Sequence, residues 1–198
     1  MGFFTISDAT EWYSGRGGGI IFNFTKWLDS TLRMRYEHKK ANGVIATSKF
    51  LNHYYKKNKC NVIEVPTIFD NKSLMKIQKT ENNNDKKIRF LYAGSPFTIK
   101  RIDKKRKSIK DRLDKIISLF YRISNNHKNF ILNIYGITKE NYLSVYTEHE
   151  DILNNLANNI IFNGRKCHDE ILKEIKNHDF TIFLRESDRV TEAVFPTK

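Results

Sequence analysis

The sequence predicts an α/β fold with two parallel sheets, and three features of the chain support this. Short, continuous apolar runs recur along its 198 residues, and stretches with helical spacing of apolar residues follow them. Apolar runs without polar alternation are typical of parallel strands that are buried on both faces. A polar, Asn-rich stretch at 67–87 interrupts the alternation, so a linker there divides a first part, 1–66, from a second part, 88–198.

The first part is predicted to contain one long helix, two strands and a second helix. The long helix covers 20–42, and its apolar residues share one side: Phe24, Trp27, Leu28, Leu32 and Tyr36. The strands are GVIATS at 43–48 and NVIEV at 61–65, separated by a helix at 49–57. A doubly wound domain does not usually begin this way, so we expect that the early strands of this domain are missing.

The second part alternates four predicted strands with three helices. The strands are the apolar runs IRFLYAG (88–94), NFILNIYG (129–136), NIIFNG (159–164) and DFTIFL (179–184). The helices are predicted from Ile109 to Phe120, at 140–157 and at 168–177. Because the chain stops soon after a buried strand, we expect that this domain also lacks its C-terminal end.

Composition narrows the class of partner and the compartment. The net charge of +13 and the pI near 9.7 predict an anionic partner: nucleic acid, a lipid surface or a phosphorylated small molecule. No apolar run reaches the roughly 18 residues that a membrane span needs. Asp8 and Glu11 argue against a signal peptide, and Cys60 and Cys167 have no CxxC partner. These features together predict a reduced, cytoplasmic protein.

The residues that directly follow the strands are the main candidates for ligand binding, because open parallel sheets bind ligands beyond the carboxyl ends of their strands. Gly94-Ser95-Pro96 follows the first strand of the second part and predicts a tight turn, which by itself is an ordinary βα turn. The stretch 100–112 then supplies many cations. Such a run is by default a solvated surface, and it lacks the interleaved aromatic residues of a nucleic-acid site.

Two further loops of the same sheet offer glycine or cations. Gly164, Arg165 and Lys166 follow the third strand, and Arg185 follows the fourth, with Arg189 and Glu192 further on. Three loops that converge in this way suit an anionic diphosphate better than any one motif does.

A metal site is not predicted. His168 has no second ligand at metal-binding spacing, and Asp169 is predicted to be a helix N-cap. We expect neither a metal nor an organic cofactor.

The order of these segments resembles the glycosyl transferases group 1 family, in particular its bacterial members that build surface or capsular polysaccharide. The resemblance covers nearly the whole chain and rests on DATEWYS (8–14), GVIATSKFLNHYY (43–55), VPTIFD (65–70), FLYAGSP (90–96), Lys110-Asp111, IIFNGR (160–165) and the segment 179–198. Members are retaining enzymes with two facing Rossmann-like domains, the GT-B architecture. The resemblance implies two such domains here, both incomplete: the C-terminal part of the acceptor-side domain at 1–66 and a donor-binding domain at 88–198.

The resemblance also implies roles for single residues. In the family, a glycine turn and a lysine hold the donor diphosphate, a later loop lies near the nucleobase, and the terminal loop lies beside the donor sugar and phosphate. These roles fall in that order on Gly94, Ser95 and Lys110, then on Gly164 and Arg165, and then on Arg185, Thr197 and Lys198.

Two departures from the family pattern leave alternatives open. The insertion TIKRIDKKRKSI lengthens the distance to Lys110, so Lys100 or Arg101 is an alternative clamp for the diphosphate. The family often carries two glutamates seven residues apart in the terminal loop. Glu192 matches the first and is the candidate catalytic residue, while the second would lie beyond Lys198.

Three functions remain open at this point. The first is a glycosyltransferase fragment that moves a sugar from a nucleotide-diphosphate sugar to a lipid-linked or polysaccharide acceptor, peripheral at the inner face of the membrane. The second is a catalytically inactive nucleotide-sugar-binding module or partner subunit, and the third is a nucleic-acid-binding protein that uses 100–112. No general base is assigned, because we expect the acceptor half to be missing. Asp8 and Glu11 are the nearest candidates, but such residues are by default solvated loop residues or caps. We expect the chain alone to be marginally stable and to have little transferase activity.

Overall fold

The computed structural model describes residues 3–13, 19–68, 87–97, 109 and 111–194. Their contacts divide the chain into two compact units, one within Met1–Phe69 and Glu186–Thr197 and the other within Asp70–Arg185. Residues 186–194 therefore pack with the first unit. The domain boundaries drawn from the sequence stay a prediction, because contacts do not define which segments fold together.

The described elements alternate strand and helix. In chain order they are β1 (Ile6–Ala9), α1 (Ile20–Leu32), a π turn (Arg33–Glu37), α2 (His38–Lys40), β2 (Gly43–Ala46), α3 (Lys49–Lys57), β3 (Val62–Glu64), β4 (Ile88–Ala93), α4 (Leu113–Ser124), β5 (Phe130–Tyr135), α5 (Lys139–Leu143), a 3-10 turn (Thr147–His149), α6 (Glu150–Asn155), β6 (Ile160–Gly164), α7 (His168–Lys176), β7 (Phe180–Thr181) and α8 (Arg189–Ala193). Every described strand pair is parallel, which confirms the predicted α/β class with two parallel sheets.

The first unit holds a sheet in the order β1-β2-β3. The prediction missed β1, because the polar residues Ser7 and Asp8 hide this short edge strand in the sequence. The predicted helix at 49–57 is confirmed as α3, and the Ser48 hydroxyl caps it by accepting a hydrogen bond from the Leu51 amide at 3.3 Å. A single apolar cluster joins the sheet to the helices and to α8; it contains Trp12, Met34, Leu51, Tyr55 and Ala193.

The buried side of the long helix in the first unit is not the side that carries most of its apolar residues. The structure runs α1, the π turn and α2 without a break from 20 to 40, close to the predicted 20–42. Its buried residues are Ser30, Met34 and His38, one turn apart. The apolar side faces outward: Trp27 is 54% exposed, and Phe24, Leu28, Leu32 and Tyr36 are exposed as well.

The second unit holds a sheet in the order β6-β5-β4-β7. Helices lie on both of its faces. Phe120 of α4 packs against Phe90 and Phe130 on one face, with ring centroids 5.0 Å apart in each pair. On the other face, the Nε2 of His178, two residues after α7, is 2.9 Å from the side-chain amide nitrogen of Asn133 in β5. The unit is therefore doubly wound, as the sequence predicts.

Four predicted elements of the second unit differ from the structure. The helix predicted from Ile109 to Phe120 runs instead from Leu113 to Ser124, as α4. The strand predicted at 179–184 is shorter in the structure, where β7 covers only Phe180–Thr181. It pairs only with β4, at the edge of the sheet, and the residues after Thr181 are not part of the strand. The helix at 140–157 is interrupted by a 3-10 turn, which places His149 in the core with its Nδ1 2.7 Å from the Tyr142 hydroxyl. Asp169 is not an N-cap: α7 begins after Cys167, and Asp169 lies in its first turn.

Candidate functional site

The candidate site lies at the C-terminal ends of the strands of the second unit. The strand order places β5 and β6 on one side of β4 and β7 on the other, so the direction of winding reverses between β4 and β7. In open parallel sheets such a reversal opens a crevice beyond the strand ends, where ligands bind. Gly94 follows β4, and Arg185 lies four residues after β7. Both are therefore positioned by the same feature of the topology.

Backbone contacts bring the ends of β4, β5 and β6 together. The Gly94 amide donates to the Tyr135 carbonyl at 3.0 Å, and the Gly136 amide donates to the Gly164 carbonyl at 2.7 Å. Beyond Gly94, the Ser95 hydroxyl donates to the Phe97 carbonyl at 3.1 Å, which tightens the turn. Three of the predicted residues, Gly94, Ser95 and Gly164, thus share one edge of the sheet. We call this edge the strand-end rim.

Gly136 completes the strand-end rim, and the sequence analysis missed it. Its φ of +99° is accessible to glycine and strained for other residues. A Cβ placed on Gly136 would lie 2.2 Å from the carbonyl oxygen of Gly94, so no side chain fits between the two turns. The signal was present in the sequence, because Gly136 ends a predicted strand as Gly94 and Gly164 do.

A buried carboxylate connects Arg185 to the turn after β4. The Asp111 side chain is 0% exposed and accepts a hydrogen bond from Arg185 Nε at 2.9 Å. Its other oxygen accepts from the Tyr92 hydroxyl at 2.8 Å, and its amide donates to the Pro96 carbonyl at 3.4 Å. Burial and the neighbouring Asp111 carboxylate raise the pKa of Tyr92. Arg185 therefore belongs to the same edge as the Gly94 turn.

The terminal nitrogens of Arg185 remain available at this edge. The side chain is 19% exposed, and its guanidinium carbon lies 4.6 Å from the centre of the Phe183 ring. Nε donates to Asp111, while Nη1 and Nη2 make no hydrogen bond with any residue that the structure describes. A guanidinium in this state presents two terminal NH2 groups, with four N–H donors in one plane, which is the geometry that binds phosphate oxygens.

The two cationic side chains in the loop after β6, Arg165 and Lys166, have different surroundings. Arg165 is exposed directly after Gly164. Lys166 is engaged by Glu174, with Nζ 2.8 Å from the carboxylate, and lies 5.4 Å from the centre of the Tyr135 ring. Burial and the Glu174 carboxylate raise the pKa of Tyr135. Of these two cations, Arg165 is the one with a freely accessible charge.

Glu192 lies in α8, in the first unit. Its carboxylate accepts a hydrogen bond from the Ser187 hydroxyl at 2.6 Å, and Asp188 caps the helix by accepting from the Thr191 amide at 2.8 Å. Arg189, on the same helix, places its guanidinium carbon 4.9 Å from the centre of the Trp12 ring. The described contacts of Glu192 thus hold the terminal loop in shape and do not include residues of the strand-end rim.

The remaining predicted residues, Lys100, Lys110, Thr197 and Lys198, lie outside the described residues, as does the alternative clamp Arg101. Among the residues that are described, no group of three metal-ligating side chains comes together. In the same part of the chain, no helix combines the length and the apolar character needed to cross a bilayer.

Comparison with known proteins gives a fold but no sequence family. No protein-family model matches the chain, and no curated protein matches it either. Solved structures of similar fold include a TarM variant from S. aureus in complex with Fondaparinux, alpha-GlcNAc-glycerol and UDP. It is 16% identical with a TM-score of 0.51, and the match covers 78% of this chain and 27% of that one. A second structure of TarM gives a TM-score of 0.52 at 16% identity over the same shares.

Sucrose-phosphate synthase from Thermosynechococcus elongatus is also similar, with 13% identity, a TM-score of 0.54 and coverage of 80% of this chain and 37% of that one. These proteins are glycosyltransferases of the GT-B architecture. At such identities the likeness establishes the fold: the chain has Rossmann-like parallel-sheet units of the GT-B type. It spans 27% to 37% of the length of these structures.

Proposed function

We propose that this chain is the donor-binding part of a glycosyltransferase. The enzyme would transfer a sugar from a nucleotide-diphosphate sugar to a lipid-linked or polysaccharide acceptor with retention, as in bacterial surface or capsular polysaccharide synthesis. The observation that carries the proposal is the meeting of the Gly94 turn and Arg185 at the winding reversal of the second sheet. The GT-B fold of the solved neighbours supports the same reading.

The chemistry of sugar transfer explains why such an edge is needed. As the bond between the anomeric carbon and the diphosphate breaks, negative charge develops on the leaving oxygens. Preorganised amides and cations that face this charge lower the barrier. In this proposal the turn at Gly94 and Ser95 approaches the diphosphate closely, and the Arg185 fork binds its oxygens.

The other predicted residues complete the proposed donor site. Lys110 is the charge clamp on the diphosphate, with Lys100 as its alternative, and Gly164 with Arg165 lies near the nucleobase. Thr197 and Lys198 lie beside the donor sugar and phosphate. Glu192 is the proposed catalytic carboxylate of the terminal loop, and the donor itself is the only small molecule required.

The charge of the chain supports a location at the cytoplasmic face of a membrane. A net charge of +13 attracts the chain to anionic lipid headgroups, where a lipid-phosphate acceptor resides. We propose peripheral association there, without sequence-specific nucleic-acid binding.

A second candidate function is nucleotide-sugar binding without turnover. The chain spans 27% to 37% of the neighbours it matches, and none of its residues is assigned as a general base. In this case the chain would act as a binding module or as a subunit beside another polypeptide. The two candidates share the donor site and differ in whether the purified chain releases a free nucleotide diphosphate.

Calorimetric titration of the 198-residue chain with UDP, GDP and ADP, and with the matching nucleosides, tests the proposal. We expect one diphosphate to bind at least about tenfold more tightly than its nucleoside, because charged hydrogen bonds to the phosphates contribute about 1.5 kcal/mol or more. Lys110→Ala should weaken this binding about tenfold. Lys115→Ala, which removes the same charge from the exposed side of α4, is the matched control and should leave binding unchanged.

Salt dependence separates this function from nucleic-acid binding. Affinity for duplex DNA through the 100–112 cluster would fall steeply with salt, as counterion release requires. Equal affinity for diphosphates and nucleosides, together with tight, salt-sensitive DNA binding that Lys110→Ala abolishes, would overturn the donor-site proposal.

A further inference from the structure

A carboxylate without solvent contact lies behind the strand-end rim. The side chain of Asp111 is 0% exposed, yet it accepts hydrogen bonds from Arg185 Nε at 2.9 Å and from the Tyr92 hydroxyl at 2.8 Å. Burial of a carboxylate is costly unless charged and hydrogen-bonded partners compensate it. The arrangement therefore needs Arg185 in one place, and it restricts that side chain far more than a surface ion pair would.

The Asp111–Arg185 contact involves Nε and leaves the two terminal nitrogens of the guanidinium without a hydrogen bond to any described residue. Guanidinium carries five N–H donors, and the carboxylate uses the one on Nε. The two terminal nitrogens carry the other four donors, and no described residue accepts a hydrogen bond from them. A carboxylate that paired with the two terminal nitrogens instead would occupy the edge that a phosphate needs.

Two further contacts restrict Arg185, one at the guanidinium and one at the neighbouring backbone. Its carbon lies 4.6 Å from the centre of the Phe183 ring, a distance at which the cation is attracted to the ring face. The backbone of the same segment is tied down as well, because the Arg112 amide donates to the Leu184 carbonyl at 2.8 Å. The side chain is thus held at its base, at Nε and along one face, while its two terminal NH2 groups are left for a ligand.

We propose that Asp111 is a positioning residue that aims the Arg185 fork at the diphosphate of the donor. Asp111 touches no ligand itself and acts only through Arg185. The inference rests on the proposed function, because it assumes a diphosphate at the strand-end rim. It adds that affinity for the diphosphate depends on a buried carboxylate one residue after the predicted clamp Lys110.

The test compares affinity for UDP with affinity for uridine in the full 198-residue chain. Asp111→Asn keeps the size of the side chain and an acceptor for Tyr92, but its amide cannot hold a guanidinium as a carboxylate does. We expect this variant to bind UDP about tenfold more weakly and to bind uridine as the wild type does. Tyr92→Phe removes the hydrogen bond from the Tyr92 hydroxyl to Asp111 and leaves the Asp111–Arg185 ion pair. It is the matched control, with UDP affinity within about threefold of wild type.

A double-mutant comparison separates positioning from a structural role. In an Arg185→Ala background, Asp111→Asn should cause no further loss of UDP affinity, because the residue through which it acts is gone. A loss of the same size in both backgrounds, or an equal loss for uridine, would overturn the positioning role while leaving the donor site intact. A wild-type chain that binds no nucleotide diphosphate more tightly than its nucleoside overturns the proposed function, and the positioning role with it.

A second variant covers the case in which Asp111→Asn does not fold. Arg185→Lys keeps a cation for the buried carboxylate but has no planar fork. If Asp111 serves to aim a fork, this variant stays folded by circular dichroism and loses UDP affinity nearly as far as Arg185→Ala does. UDP affinity equal to wild type in Arg185→Lys would show that a point charge suffices, which contradicts the inference.

Discussion

The two sheets of this chain have the same parallel topology, but their strand ends are built differently. In the first unit the polar groups after the strands bind one another: the Thr47 hydroxyl donates to the Thr10 carbonyl at 2.8 Å, and Ser48 caps α3. In the second unit the turns approach through glycine backbone, and the Arg185 fork is left open. Parallel topology is therefore common to the two units, and the close glycine contact and the open Arg185 fork distinguish the second unit from the first.

The largest expected effect comes from the close backbone contact in the second unit. Gly136→Ala forces a side chain against the Gly94 carbonyl oxygen at 2.2 Å and onto a φ of +99°. Strain and overlap together should reduce the free energy of unfolding by about 4 kcal/mol. Gly43→Ala in the first unit is the matched control, because its nearest neighbours are 3.9 Å away, and it should change stability by less than about 1 kcal/mol. Urea denaturation of both variants measures the difference, and equal effects would contradict the contact.

A smaller effect tests whether the two cores are separate. Ile134 is fully buried in the core of the second unit, and Leu51 is fully buried in that of the first. Each change to alanine should cost about 3 kcal/mol, and each should lower the melting transition of its own unit only. Ile161→Ala removes the same atoms from a 39% exposed position on β6 and should cost less than about 1 kcal/mol. Scanning calorimetry distinguishes the units; a single transition that both variants shift equally would show that the two cores unfold together.

The smallest expected effect is a pH dependence confined to the first unit. Burial, and then the nearby Arg33 charge, lower the pKa of His38, whose Nδ1 lies 2.8 Å from the Tyr55 hydroxyl. The unfolded chain takes up a proton below the usual pKa of 6.5, whereas the folded unit resists it. Stability of the first unit is therefore full above pH 6.5 and is lost as pH falls below that value.

Thermal melts of wild type and His38→Gln across this range provide the measurement. The wild-type melting temperature should fall more steeply than that of the variant, because glutamine keeps a polar partner for Tyr55 and does not titrate. Parallel curves for the two proteins would mean that His38 is not the group responsible.

The sequence was sufficient for the elements with strong local signals. The runs IRFLYA and FILNIY are long and apolar, and both are strands within a residue or two of their predicted ends. β1 was missed because an edge strand of four residues with Ser7 and Asp8 carries no such signal. The break in the helix at 140–157 depends on where His149 packs, which is a tertiary contact and leaves no periodic trace.

Some residues of the candidate site could likewise be predicted from local sequence, and others depend on tertiary packing. Turns after buried strands can be recognised from sequence, and this identified Gly94, Gly164 and Arg185. The burial of Asp111 could not be predicted, because a charged residue within a charged segment is expected at the solvated surface. The sequence also could not show that the apolar side of α1 is exposed, because periodicity defines one side of a helix but not whether other residues cover it.

The most direct test of the strand-end rim as a diphosphate site is an NMR footprint of UDP on the labelled 198-residue chain. The backbone amides of Gly94, Gly136 and Gly164 and the Nε–H of Arg185 should show the largest shifts, since all four lie at one edge of the second sheet. Shifts that cluster instead at the opposite strand ends, near Ile88 and Phe130, or only in the first unit, would contradict the account.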